Sequence, residues 1–274
     1  MGKEGNKAGN QCSGRMPAFQ KLRKQQVQTQ TDRLQIGMIP LRELIGKTAR
    51  FFLLKLPLAF IAISIAWVAI LRWVPVWFTP LMVSRSIEYR DDETFRTHKK
   101  WRSYENISPE LAKAVIASED NLFATHNGFD WKEMKKAVND HLKKGKKLRG
   151  ASTISQQTAK NVFLPPSHSF VRKAFEAWFT LLIELIWGKE RILEVYLNVA
   201  EMGKGIYGAE AAAQEIFGKS ASRLTRHESS LIAACLPNPL SRNAGKPSAY
   251  VSKRAGQIRN LIPKIGYPDW IDGK

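Results

Sequence analysis

Cysteine is nearly absent from this chain: its 274 residues contain two, Cys12 and Cys235. No cysteine pair has metal-ligand spacing, and no histidine follows His227-Glu228 at helical spacing, which sets aside structural zinc and zinc hydrolysis. Acidic residues are also scarce, 24 Asp and Glu against 43 Lys and Arg, leaving a net charge of +19. That balance asks for an anionic partner: nucleic acid, anionic lipid or a phosphorylated substrate. The basic runs lack the interleaved aromatics that base stacking needs, so no nucleic-acid partner is expected. Long apolar runs are missing too, with one exception.

The exception is residues 51–77, FFLLKLPLAFIAISIAWVAILRWVPVW, long enough to span a bilayer. Lys55 and Arg72 lie near its ends, where their stems can snorkel to the headgroups, and Trp67, Trp73 and Trp77 gather toward one interface. A long segment precedes the run and no small-residue cleavage site follows it, so it reads as an uncleaved anchor rather than a signal peptide. A buried core helix is the competing reading. Before the run, Lys3, Lys7, Arg15, Lys21, Arg23, Lys24, Arg33, Arg42, Lys47 and Arg50 face only Glu4, Asp32 and Glu43, which places this flank in the cytoplasm. The expected organisation is a disordered basic cytoplasmic tail over 1–50, a transmembrane anchor over 51–77, a charged juxtamembrane connection over 78–100 and an outer domain over 101–274. Cys12 and Cys235 then lie on opposite sides of the membrane and form no disulfide, as fits a bacterial envelope protein.

The outer domain shows helical periodicity, with no internal repeat. Ser108-Pro109-Glu110 is a helix start, with a capping hydroxyl, proline at the first position and an acid in the first turn. Leu111, Ala114, Val115 and Ser118 then share a face. Trp131, Met134, Val138 and Leu142 repeat at helical spacing and lead into the basic run 143–149, read as a solvated loop. Residues 172–187 are apolar nearly all round except for Glu176, Thr180 and Glu184 on one stripe. Such a helix belongs in a core or at a membrane surface and is too short and too acidic for a second span. Further helices are predicted over 191–199, 209–217 and 225–236, with a glycine-broken turn from Met202 to Gly208 and a stop at Pro237 and Pro239. The predicted fold class is mainly α.

Two stretches carry candidate chemistry. Glu119-Asp120 ends an apolar helix on charge, and an acid there is costly to bury unless something pairs with it or uses it. An apolar setting and the neighbouring Asp120 would raise the pKa of Glu119 and poise it as a general base near neutral pH. A solvated helix end, with His126 capping a turn, accounts for the same residues. Residues 149–161, RGASTISQQTAKN, combine a glycine, paired hydroxyls, paired amides and a lysine. With Ser152 as N-cap, the next turns present Gln156, Gln157 and Lys160 as donors to an anionic or sugar-like ligand. An N-cap with a solvated face remains the alternative.

Five ordered motifs tie these stretches together: E-D-x-x-F-x-x-H-x-G from Glu119 to Gly128, G-x-S-T-x-x-Q-Q-x-x-K-N from Gly150 to Asn161, R-K-x-x-E from Arg172 to Glu176, R-I-L-E-x-Y-L-N from Arg191 to Asn198, and L-T-x-x-E-x-x-x-x-A-x-x-x-P-x-P from Leu224 to Pro239. Together they resemble the peptidoglycan glycosyltransferases, specifically the monofunctional biosynthetic transglycosylases of the bacterial inner membrane. No transpeptidase-like stretch follows, so the monofunctional form is the expectation.

The resemblance implies a lysozyme-like, mainly α domain, periplasmic on its single anchor, that polymerises lipid II into β-1,4 glycan and releases polyprenyl diphosphate. It makes Glu119 the general base on the acceptor hydroxyl and Glu176 the second acid, assisting at the donor diphosphate. Lys160 and Arg172 would neutralise the leaving group, Ser152, Thr153 and Gln157 would line the groove, and Asp120 and His126 would shape the first motif. One departure is His168, where many members carry an arginine; it would serve a diphosphate only when protonated. No dedicated acidic metal motif stands out, and Glu176 could hold a divalent cation, Mg or Mn, through the diphosphate. Implied partners are lipid II, the growing strand, the membrane and other wall-synthesis and division proteins. Two other classes stay open. A lytic glycosidase would use the carboxylates but not the cations, and a membrane-tethered scaffold would use the charge but neither Glu119 nor Glu176.

Overall fold

The computed structural model describes residues 21–29, 51–144, 152–167 and 169–272. Cys12, His168 and most of the basic run 143–149 lie outside the described residues. So does the expected disordered tail, except for residues 21–29, which are helical and exposed.

The chain forms two compact units, Met1–Ile61 and Ala62–Lys274. In the first, a π-type turn, Phe51–Lys55, opens helix α1 (Leu56–Leu71). The 21 residues Phe51–Leu71 form the one helix among the described residues that is long and apolar enough to cross a membrane. It stops six residues short of the predicted end at Trp77. Pro75 is the reason: it has no N–H to give the carbonyl of Leu71, its ring clashes there, and it disfavours helical geometry at Val74.

The second unit begins with the last turns of α1. Where a charged connection was predicted, the chain makes an amphipathic helix, α2 (Pro80–Glu88), started by Thr79, whose hydroxyl accepts from the amide of Met82, with Pro80 at the first position. Met82 is buried, while Val83 and Ile87 on the other side, and Phe78 just before, are exposed. Helices α3 (Pro109–Glu119), α4 (Trp131–Lys144), α5 (Ile154–Phe163), α6 (Phe170–Ile186), α7 (Lys189–Val199), α8 (Ala209–Phe217), α9 (Arg226–Cys235) and α10 (Ala249–Leu261) follow. Helix α3 packs on α9 and α10, and α5 packs on α6 and α7. Their seams are aliphatic: Leu111, Val115, Ile232 and Ile258 in one, Ile154, Ile183, Leu193 and Leu197 in the other, all fully buried.

Ser108 is the N-cap residue of α3, but its hydroxyl makes no capping bond and donates instead to the carbonyl of Leu224 at 2.8 Å. The amide it would have capped, Leu111, already donates to the Ser108 carbonyl. The predicted stripe on α6 faces inward. Glu176 and Thr180 are buried, and Glu184 accepts from Ser155 at 2.5 Å and from Lys189 at 2.7 Å. The opposite side of α6 leaves Phe170, Val171, Leu181 and Leu185 exposed, so this helix serves both the core and an apolar surface.

The sequence reading contained no strand, yet three short ones form a sheet ordered β1-β3-β2. Strand β3 (Ile206–Tyr207) pairs parallel with β1 (His98–Lys99) and antiparallel with β2 (Glu201–Gly203). Gly208 ends this sheet at φ +83°, and a Cβ there would sit 2.5 Å from the carbonyl oxygen of Asn198. Gly208→Ala is therefore expected to cost about 3 kcal/mol or more, from strain and backbone collision together, lowering Tm by roughly 5–10 °C in a thermal melt.

Candidate active site

Helix α3 delivers Glu119 on its last residue and Asp120 as its C-cap. The two acids part at once. Asp120 is buried; its Oδ1 and Oδ2 accept from His126 Nε2 at 2.9 and 3.0 Å, and Oδ2 accepts from the amide of Ile154 at 2.9 Å. That amide opens α5, where a carboxylate is favoured by the helix dipole. His126 Nδ1 accepts from Gly128 N at 3.1 Å, which fixes the tautomer with the proton on Nε2. Gly128, at φ +85°, has no room for a Cβ beside Thr180, and its carbonyl accepts from Thr153 Oγ1 at 2.6 Å. Asp120 and His126 thus lock the first motif onto α5.

Glu119 is left half-buried, its Oε2 accepting from Gln157 Nε2 at 3.0 Å. Tyr196 Oη donates to Gln157 Oε1 at 3.3 Å, so the amide has one orientation and must present its NH2 to the carboxylate. Burial raises the pKa of Glu119, against the hydrogen bond from Gln157 and the charge of Arg254. Asp120, expected as a leading cause, contributes least of the named influences.

Helix α5 is capped by Thr153, not by Ser152. Thr153 and Gln156 form a reciprocal capping box, with Gln156 N to Thr153 Oγ1 at 3.1 Å and Thr153 N to Gln156 Oε1 at 3.0 Å. A groove of about 480 Å³ lies beyond, lined by Gln157, Lys160, Asn161, Arg172, Tyr196, Glu201 and Arg85, with Leu81, Leu164, Pro166, Pro237 and Pro239 among its apolar walls. Of the three predicted groove residues only Gln157 lines it. Thr153 is buried in its cap and the bond to Gly128, and Ser152 offers its carbonyl toward Gln157 Nε2 at 3.5 Å.

The cations converge from α5 and α6. Glu176 is 2% exposed; its Oε2 accepts from Arg172 Nη1 at 2.9 Å, and its Oε1 pairs with Lys173. Arg172 Nε is buried with no hydrogen-bond partner among the described residues, an arrangement natural proteins rarely leave without use. The side chain of Lys160 makes no hydrogen bond among the described residues. Its pKa is lowered by burial and pulled back by Glu176 and Glu119, which places both carboxylates within its electrostatic reach. A divalent cation on Glu176 does not fit this arrangement, because both carboxylate oxygens already face cations. Among the described residues no three His, Cys, Asp or Glu side chains gather into a metal site.

Sequence reasoning passed over Tyr196, Lys173, Asn161, Arg85 and Glu201. Lys173 stands within the R-K-x-x-E motif, and its i,i+3 spacing to Glu176 was the available signal.

A half-buried carboxylate beside cations that hold an unpaired guanidinium N–H suits one kind of work: activating a neutral hydroxyl while an anionic group departs. On a mainly helical domain this is equipment that glycosyl transfer can use. Residues 87–262 match the family model described as Transglycosylase. Similar proteins named biosynthetic peptidoglycan transglycosylase include one from Bacteroides thetaiotaomicron, 56% identical over 210 residues, covering 75% of this chain and 84% of the relative. Another, from Shewanella oneidensis, is 51% identical over 217 residues, covering 78% and 91%; one from Pseudomonas aeruginosa is 48% identical over 220 residues, covering 80% and 94%. The chain belongs to the transglycosylase family, with its lysozyme-like domain.

Proposed function

We propose that this chain is a peptidoglycan glycosyltransferase of cell-wall synthesis, polymerising lipid II into β-1,4 glycan with release of polyprenyl diphosphate. The observation that carries this is a groove lined by Gln157, Lys160 and Arg172 with its unpaired Nε, in which Gln157 also holds the carboxylate of Glu119. Glu119 takes the proton of the acceptor 4-hydroxyl as its oxygen attacks the anomeric carbon of the donor. The bond from that carbon to the diphosphate breaks with inversion, and Lys160 and Arg172 take up the charge that develops. Glu176 keeps Arg172 and Lys173 gathered at that end.

The apolar helix Phe51–Leu71 is the single-pass anchor in the bacterial inner membrane, with the basic N-terminus cytoplasmic and the domain periplasmic. Confining the enzyme where its lipid-linked substrate and product stay raises their effective concentration. Other wall-synthesis and division proteins are the protein partners this role implies. The raised pKa of Glu119 would also suit the general acid of a lytic glycosidase, but a sugar leaving group wants a proton, whereas the groove offers fixed cations. Labelled lipid II given to the full-length protein in detergent separates the two: lysozyme-sensitive strands are expected. Untouched lipid II with cleavage of finished glycan would show the lytic activity instead.

A further inference from the structure

Arg85 lines the same groove as Lys160 and Arg172 but comes from α2, far from every motif in the chain. Its Nη1 donates to Glu88 at 2.6 Å, its Nε reaches Glu201 only at 3.4 Å, and its Nη2 has no partner among the described residues. Glu201 is 7% exposed, and its other partners among the described residues are the backbone of Gly205 and the hydroxyl of Tyr207 at 3.5 Å. Burial outweighs the pull of Arg85 and raises its pKa. A permanent structural pair of this kind would be short and bidentate. This one is a single long contact, beside a groove lined by two other cations.

The position of α2 indicates which anion would compete. Its outer side exposes Val83 and Ile87, it follows closely on the end of the apolar helix, and its inner side puts Arg85 and Leu81 on the groove wall near Leu164 and Pro166. A ligand with a lipid tail and an anionic head would meet apolar lining and guanidinium together there. We propose that Arg85 is a positioning residue for a lipid-linked diphosphate, and that Glu201 is its resident counter-charge, displaced when the diphosphate enters. The proposal rests on the glycosyltransferase function above and adds a residue to it. The diphosphate belongs to either the donor or the acceptor lipid, both of which carry one.

The test is the affinity of the full-length protein in detergent micelles for polyprenyl diphosphate, measured by displacement of a labelled analogue. Arg85→Gln is expected to weaken binding about tenfold, Arg85→Lys to recover part of the loss, and Glu201→Gln to tighten binding about threefold. The opposite signs are the discriminating result, because a merely structural pair would move both variants the same way. Same-sign changes, or an unchanged affinity in Arg85→Gln, overturn the proposal; if Arg85→Gln does not fold, Glu201→Gln decides it. Kinetics with a preformed lipid-linked glycan as donor and lipid II as acceptor then assign the source. A higher KM for the donor places the donor diphosphate at Arg85, a higher KM for lipid II places the acceptor's there, and two unchanged values count against either. Opposite-signed binding changes in the two variants, with a wild-type protein that polymerises nothing, would sink the glycosyltransferase assignment and leave Arg85 as a diphosphate contact.

Discussion

Glu119→Gln is expected to lower kcat for lipid II polymerisation about 10³-fold, the loss typical of removing a general base. The amide keeps the shape of the carboxylate and can still meet Gln157 but accepts no proton, so KM should change little and the loss should fall on kcat. Stability should move the other way or not at all. Burial raises the folded-state pKa of Glu119, so the protonated form is the one favoured by folding. That contribution is full below the unfolded pKa and is lost as pH rises through the folded value; at neutral pH the ionised group is a burden to the fold. A variant that melts no earlier than wild type and does not polymerise would identify a reacting group. One that melts early would identify a structural group. The same raised pKa sets the acid limb of the kcat/KM profile: activity falls with decreasing pH as Glu119 takes up a proton, with a midpoint above the ordinary glutamate range. An acid limb at or below that range would remove Glu119 from the role of base.

Lys160→Ala carries the other large expectation, a fall in kcat of about 10²–10³-fold, on the scale of losing one preorganised donor to developing charge. Lys160 has no side-chain hydrogen-bond partner among the described residues, and the charges of Glu176 and Glu119 only partly offset its burial. Arg172 is differently placed, because Arg172→Ala also takes from the buried Glu176 one of its two cationic partners, leaving Lys173 alone. Lys160→Ala is the cleaner probe. Comparing two donors that differ in leaving group reads it: the deficit should shrink with a better leaving group, whose departure needs less charge stabilisation. A deficit equal for both would mean that Lys160 holds ground-state substrate instead.

Much of this site was legible before the structure, for reasons that differ by residue. Glu119 and Glu176 were conspicuous as acids in apolar helices, where their burial needs an explanation. The capping residue of α5 was misassigned to Ser152, although glutamine three residues after Thr153 is the second half of a capping box and distinguishes the two hydroxyls. The end of the apolar helix was drawn by composition, which runs on through Trp77, whereas Pro75 ends it by stereochemistry. The two- and three-residue strands leave no periodicity to detect. Arg85 and Glu201 were invisible for a plainer reason: 116 positions separate them, and nothing local to either records the other.

The hydrogen bonds at the end of α1 bear on where the enzyme begins. Trp178 Nε1 donates to Ser64 Oγ at 3.0 Å, Trp187 Nε1 to the carbonyl of Val68 at 2.7 Å, and Arg191 Nη2 to the carbonyls of Leu71 and Val74 at 2.9 and 2.7 Å. Trp67 packs edge-on against Phe163 and Phe179, in the seam between α5 and α6. The compact second unit accordingly starts at Ala62, within the helix. The last turns of the apolar helix, from Ala62 on, are therefore part of the second unit's own core. A soluble version cut at Leu71 would take a wall of the core away with its tether.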